Sequence, residues 1–496
     1  MSVYPLGRSY PSMSSIAGAA LRHYLDRETY AKLGFTLPLL PGDVPESPMI
    51  VTLSPEQRLT HTYLIGGTGS GKTNTLLNLI ANDLRNGLTV VVVDLRGDLV
   101  DRILRRLFAS HESMWLMHHL VLVDLRDEHS VTPFNPLVGD GDAYSRALFV
   151  HAVLRREADS WGVQMDETVR NSLIALAETG WSLLEIEPLL TNPAFRQSVL
   201  ERVSDPYVKS FFARYGALSE EKQQSWRLPV LNKITPFLMV PRLRRMFGAR
   251  TTLPLSSLLN VERGTVLLVS LAVDRLHEAA HLAGGLIVSA LQNAMMARVD
   301  TPEAARPPVM MYVDEFQNFV PASDRFAQVV SEGRRFGLGL TLSHQNLSQL
   351  PASLSEVIRN NIATQILFQT GALDASDLAR EIVCGRTRDE VRDALLRLRV
   401  GEAFLVRRGR EARRIQTYLH VDSPMGRWTI AAARAAGVSR FAIPAAQADA
   451  DLAARLAQWD EPVTDARTTE QRSEKPRAKE HPAWEVRYGR SKRFDL

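Results

Sequence analysis

A lysine and a threonine close a glycine-rich octet, Gly66-Gly67-Thr68-Gly69-Ser70-Gly71-Lys72-Thr73. Residues of these types at this spacing suit a triphosphate. Glycines let the backbone curl so that its N–H groups point onto phosphate oxygens. A helix that follows adds the positive end of its dipole. Lys72 would reach the β- and γ-phosphates, and the Thr73 hydroxyl would hold Mg²⁺. The context is the required one: the apolar run Thr62-Tyr63-Leu64-Ile65 precedes the octet, and Asn74-Thr75-Leu76-Leu77 opens a helical pattern. The pattern predicts ATP as ligand and Mg²⁺ as cofactor, with residues Gly66 to Asn74 as the cradle.

A second group of acids could complete the site. Val309-Met310-Met311-Tyr312-Val313 is an apolar strand that ends in Asp314-Glu315. Asp314 would bind Mg²⁺ through a water, and Glu315 would polarise the water that attacks the γ-phosphate. Gln345 follows the next strand, in Thr341-Leu342-Ser343-His344-Gln345. It is a candidate sensor for the attacking water or the γ-phosphate; the alternative is an ordinary polar strand end. Asp94 ends Val91-Val92-Val93-Asp94, before Arg96-Gly97-Asp98. It could touch the metal site as part of the nucleotide cradle or link nucleotide state to the next subunit, or it could form the turn before Gly97. Arg335, beside Arg334, could stabilise the transferring phosphoryl group across a subunit boundary. Arg359, Arg242, Arg244 and Arg245 compete for that role. The histidines show no metal-ligand spacing.

The elements that must position these groups are apolar, β-branched runs separated by helical patterns. They are Thr62–Ile65, Leu88–Asp94, Leu120–Leu125, Thr265–Leu271, Val309–Asp314, Leu338–Ser343, Thr364–Thr370, Ala403–Val406 and Arg414–His420. Continuous apolar strands alternating with helices predict a parallel sheet covered on both faces. The strand signal disappears between about Ala143 and Gly248. Helical stripes replace it, separated by Asn192-Pro193, Ser204-Asp205-Pro206 and Val240-Pro241. The fold class expected is α/β: a RecA-like P-loop core with a mostly parallel sheet and an inserted all-helical subdomain. The expected division is an N-terminal arm over 1–50 with one helix from Ser15 to Leu33, and core segments over 51–142 and 251–440. The helical insertion takes 143–250, and a C-terminal helix with a charged tail takes 441–496.

Composition sets the remaining bounds. With 496 residues, 45% hydrophobic and 23% charged, the chain has ample core for two to four domains. Its single cysteine, Cys384, excludes a disulfide framework and a cysteine-based zinc site, and fits a reducing compartment. No apolar leader follows Met1. The best candidate for a membrane span, Ala279 to Val299, is broken by His281, Gly284-Gly285 and Gln292-Asn293, and reads as a core helix. The expectation is a soluble, cytoplasmic chain. Nine Lys/Arg against five Asp/Glu between Arg467 and Leu496 account for the net charge of +4. Such a tail can hold nucleic acid or can be a solvated end.

The order of these motifs resembles that of the FtsK–HerA superfamily of pumping ATPases, in particular soluble relatives of type IV secretion coupling proteins and HerA-type translocases. The resemblance rests on His61 to Gly66 leading into the P-loop, Asp94-Leu95-Arg96-Gly97-Asp98-Leu99, Phe134-Asn135-Pro136-Leu137, Trp161-Gly162, Asp314-Glu315-Phe316, Gly333-Arg334-Arg335-Phe336-Gly337 and Ser343-His344-Gln345. It spans roughly residues 48 to 420. It implies a homo-hexameric ring that moves DNA through a central pore by ATP hydrolysis, with sequence-tolerant DNA binding and a secretion, relaxase or nuclease partner. By position, Lys72, Thr73, Asp314 and Glu315 match the family's nucleotide and metal residues. Asp94 matches the acid ending its second strand, Gln345 its sensor glutamine, and Arg335 or its neighbour its arginine finger. Neither the transmembrane helices of anchored coupling proteins nor the N-terminal barrel of HerA-type enzymes is seen. The expected function is therefore an ATP-dependent DNA translocase. The alternatives are a nucleotide-gated docking module in a secretion or phage-defence complex, and a HerA-like helicase acting with a nuclease.

Overall fold

The computed structural model describes residues 31–40, 49–109, 118–156, 160–261, 264–318, 329–418 and 430–460. Seven parallel strands form one side of an 11-stranded sheet, out to its β5 edge. In chain order they are β3 (Thr62–Ile65), β4 (Thr89–Asp94), β5 (Leu120–Asp124), β7 (Val266–Ser270), β8 (Val309–Asp314), β9 (Leu338–His344) and β10 (Thr364–Leu367). A two-residue strand, β6 (Ser130–Val131), lies outside this sheet and pairs with β13 (Ile443–Pro444). In space the parallel strands run β10-β3-β9-β8-β4-β7-β5. All nine predicted apolar runs are strands. The last two, β11 (Glu402–Arg407) and β12 (Arg413–Thr417), continue the sheet beyond β10 in antiparallel sense.

Besides the short β6 and β13, two further strands, both in the large sheet, were not expected. β1 (Ala31–Thr36) pairs with β12, and β2 (Ile50–Leu53) pairs with β1, both antiparallel. Residues 31–33 are thus strand, which corrects the helix expected to run to Leu33; residues 15–30, where that helix would begin, lie outside the described residues. Gly34 explains why the local pattern misleads. A Cβ there would lie 1.9 Å from the carbonyl oxygen of Gln416, so close pairing with β12 requires a residue that local propensity assigns to a turn.

The parallel strands are buried on both faces because alternate residues enter two separate cores. Leu64, Val90, Val92, Leu268 and Met310 face the helices Lys72–Arg85 and Asp98–Ala109, through Leu76, Leu79, Ile80, Val100 and Ile103. Ile65, Val91, Val93, Val269 and Val313 face the other side. There the core includes Val150 and Val153 of helix Ala143–Arg156, and Leu286 and Leu291 of helix Glu278–Met296. The latter is the one described helix long and apolar enough to cross a membrane, and 78% of its apolar window is buried within the protein.

Between β6 and β7 the described residues from Ala143 to Leu259 form helices and their short connections. The sequence signals that separate the helices act as caps. Asn192 accepts from the amides of Ala194 (2.9 Å) and Phe195 (3.0 Å), and Asp205 from that of Tyr207 (2.8 Å); proline opens each helix. Helix Ala445–Asp460 returns to this region. Arg245 and Asp449 form a bidentate pair at 2.7 Å, and Arg455 meets the fully buried Glu185 at 3.1 Å. The basic tail lies outside the described residues.

Candidate nucleotide site

The glycine loop is shaped by the strand ends around it. β3 is wholly buried, and its last residue leads into Gly66, whose missing Cβ leaves room for Phe368; a Cβ would stand 2.5 Å from that side chain. The Gly67 amide donates to the Gln369 carbonyl at 2.7 Å, and the Gly401 amide to the Ser70 carbonyl at 2.8 Å. Gly71 has φ +120°, a conformation open at little cost only to glycine, and helix Lys72–Arg85 starts at the next residue. The Lys72 ammonium donates to the carbonyls of Gly66 and Gly67. Burial lowers its pKa, against the opposing pull of Glu315 and Asp314.

That pull brings the two predicted halves together. β8 carries Asp314 to the same edge of the sheet, where its carboxyl is pushed up to about 7 by burial first and by Asp94 and Glu315 next, with Lys72 opposing. Glu315 follows with φ +50°, a left-handed conformation. For a residue with a side chain this costs about 1–3 kcal/mol, a cost commonly retained at functional sites. Asn318 holds the turn, donating to the Glu315 carbonyl from both its backbone amide (3.1 Å) and its side chain (2.9 Å).

β9 lies between β3 and β8, and this order gives Gln345 its position. The Gln345 Nε2 donates to Glu315 Oε1 at 2.7 Å, while the Thr68 hydroxyl donates to Gln345 Oε1 at 3.0 Å. One side chain therefore spans from the glycine loop to the acid. A residue not singled out from the sequence holds the other carboxylate oxygen: Gln317 Nε2 donates to Glu315 Oε2 at 2.9 Å. The main-chain carbonyl of Gln317 in turn accepts from Arg156 at 2.8 Å, at the end of the first helix of the insertion. Only the i, i+2 spacing from Glu315 could have signalled Gln317, and that spacing says nothing about direction.

The other predicted residues take varied places. Thr73 lies in the first turn of the loop helix. The Asn74 side chain donates to the Tyr418 carbonyl, tying that helix to the end of β12. Asp94 is buried and accepts from the amides of Arg96 (3.1 Å) and Val100 (2.9 Å), so it forms the turn into helix Asp98–Ala109 while raising the pKa of Asp314. Arg335 is not brought to this site within one chain. It is exposed in the turn before β9, at the strand-entry edge, and the seven residues of β9 separate it from Gln345 by about 23 Å at ~3.3 Å per residue. Among its competitors, Arg359 pairs with Glu381 at 3.1 Å, Arg245 with Asp449, and Arg242 with Glu128.

The donor set fits a magnesium ion. A buried carboxyl raised by neighbouring acids is the chemistry a hard cation relieves, and a hydroxyl and a carboxylate are hard oxygen ligands. Among the described residues no cluster of three or more His, Cys, Asp or Glu could hold a metal alone.

Fold and site together define a P-loop nucleotide-binding protein with a RecA-like core and a helical insertion. Residues 48–116 match the family described as the type IV secretion-system coupling protein DNA-binding domain. A comparison with curated protein sequences gives no match. Among solved structures the chain is similar to the plasmid coupling protein TrwB in complex with the non-hydrolysable GTP analogue GDPNP, with TM-score 0.55 and 16% identity over 77% of this chain and 90% of that one. It is similarly close to TrwB in complex with ADP and Mg²⁺ (TM-score 0.53, 15% identity, 77% and 89% covered) and with the ATP analogue ADPNP (0.54, 15%, 81% and 97%). At this identity the likeness establishes the fold. The family match and the fold bear out the resemblance to the FtsK–HerA superfamily.

Proposed function

We propose that the chain is an ATPase of the coupling-protein type that converts ATP hydrolysis into movement of DNA, working as a ring of identical subunits. The observation that carries this reading is the Thr68–Gln345–Glu315 chain of hydrogen bonds, which joins the phosphate loop to an acid placed to act on water. A protein that only bound nucleotide would have no use for that acid. The nucleotides and Mg²⁺ bound by TrwB support ATP and Mg²⁺ as the ligands here.

In this mechanism the loop amides and Lys72 bind the β- and γ-phosphates, so the ammonium leaves the carbonyls of Gly66 and Gly67 for phosphate oxygens. Thr73 and Asp314 would hold Mg²⁺, which offsets phosphate charge. Glu315 orients a water and accepts its proton as it attacks the γ-phosphate in line. Gln345 aligns that water or senses the γ-phosphate, and carries the change to Thr68. Arg335 or Arg334, exposed at the opposite edge, serves a neighbouring subunit's nucleotide.

The test is Glu315→Gln with ATPase measured with and without DNA. We expect ATP binding to be retained and turnover nearly abolished, with wild-type turnover stimulated by DNA. Undiminished turnover in the variant removes Glu315 from the mechanism. Wild-type turnover indifferent to DNA assigns the protein to nucleotide-gated docking instead.

A further inference from the structure

The strand-entry edge of the sheet carries charge that the nucleotide site does not use. β11 and β12 are joined by Arg408-Gly409-Arg410-Glu411-Ala412, with Arg407 closing one strand and Arg413 opening the other. Four arginines thus accompany a single acid within seven residues. Arg408, Arg410 and Arg413 are exposed. Arg407 is partly buried, and both burial and its neighbours Arg410 and Arg413 work against its charge.

Pairing is available nearby and is used by other residues. Arg414, the next along β12, meets Glu402 at 2.7 Å, and Arg359 meets Glu381 at 3.1 Å. Among the described residues Arg407, Arg410 and Arg413 form no such pair. The turn that presents them is fixed in place. The amide of Arg408 donates to the Ala363 carbonyl (3.0 Å), that of Arg410 to Arg407 (3.0 Å), and that of Ala412 to Val383 (2.8 Å).

We infer that the β11–β12 hairpin is a contact surface for the phosphate backbone of nucleic acid. Arg408 already donates to the Asn360 carbonyl, so the unpaired groups are those of Arg407, Arg410 and Arg413. These mutually repelling guanidinium groups are stabilised by a polyanion, and the exposed forks of Arg410 and Arg413 fit a phosphate in bidentate fashion. A row of such contacts reads charge rather than bases, as a moving protein requires. A membrane surface fits less well, since interfacial binding uses exposed aromatic or leucine side chains, and the exposed apolar residue beside this turn is Val383. The choice of nucleic acid among polyanions rests on the translocase reading.

The experiment compares the full chain with its R407Q/R408Q/R410Q/R413Q variant, titrated against mixed-sequence 30-nucleotide single strands and duplexes from 50 to 300 mM KCl. We expect at least a tenfold loss of affinity at 100 mM. The slope of log K against log salt should fall by about 3, at roughly 0.9 for each duplex phosphate that the variant no longer neutralises. The thermal midpoint and the ATPase rate without DNA should be unchanged, and a fourfold Arg→Lys variant should keep most of the salt slope. Equal affinity and slope in the glutamine variant overturn the inference, as does a wild-type chain that binds no nucleic acid. So does loss of binding to vesicles of phosphatidylcholine and phosphatidylglycerol with DNA affinity intact. Loss of DNA binding in the variant, beside a wild-type ATPase indifferent to DNA, keeps this surface and removes the motor reading.

Discussion

Gln345→Ala is the most informative single change. It removes a hydrogen bond from an amide to a carboxylate at 2.7 Å and another from the Thr68 hydroxyl at 3.0 Å. A hydrogen bond to a charged group contributes about 1.5–3 kcal/mol. The Thr68 contact lies at an exposed position and adds little. If the Glu315 contact acts in the transition state, kcat should fall by about 10- to 150-fold, at ~1.4 kcal/mol per decade. The loop amides and Lys72 are untouched, so affinity for ATP should change by less than about threefold. A steady-state assay over an ATP concentration series, with a direct nucleotide-binding titration, separates the two effects. In the Glu315→Gln background the same change should cost almost nothing more, because both act through one carboxylate. A kcat within twofold of wild type, or a loss confined to KM, refutes the reasoning.

Gln317→Ala frees the second Glu315 oxygen but keeps the main-chain carbonyl that accepts from Arg156, so turnover should fall about tenfold, equally with and without DNA; turnover within twofold of wild type would remove the Gln317 side chain from the site. Asp314 has a folded-state pKa of about 7 against 3.8 unfolded, so the folded state holds more protons across that window and stability falls as pH rises through it. In chelator and without nucleotide, Asp314→Asn should therefore melt higher than wild type at pH 8, by at most about 4 kcal/mol, with the gap closing toward pH 4; a pH-independent gap contradicts this. Arg455→Met leaves the fully buried Glu185 without its counter-charge and should cost about 3 kcal/mol in a thermal or urea melt. A cost under about 1 kcal/mol would mean that the hydrogen bonds from Ser182 suffice for that acid.

Much of the site was legible because its information is local. The loop is eight contiguous residues whose chemistry depends on backbone freedom and a helix start, and both are written in Gly66 to Thr73. The parallel strands were legible because burial on both faces leaves uninterrupted apolar runs such as Thr89–Asp94. β1 was not, since Gly34 carries a local turn preference that pairing with β12 overrides. The sequence by itself thus determined the class of chemistry, the strands of the core and the helical insertion. Tertiary structure alone decided who meets whom. Placing β9 between β3 and β8 brings Gln345 to Thr68, 277 residues away, and to Glu315. The same fold points Gln317 at that acid and leaves Arg335 at the far edge. Strand order comes from long-range pairing and the handedness of crossovers, and no short stretch of residues encodes either.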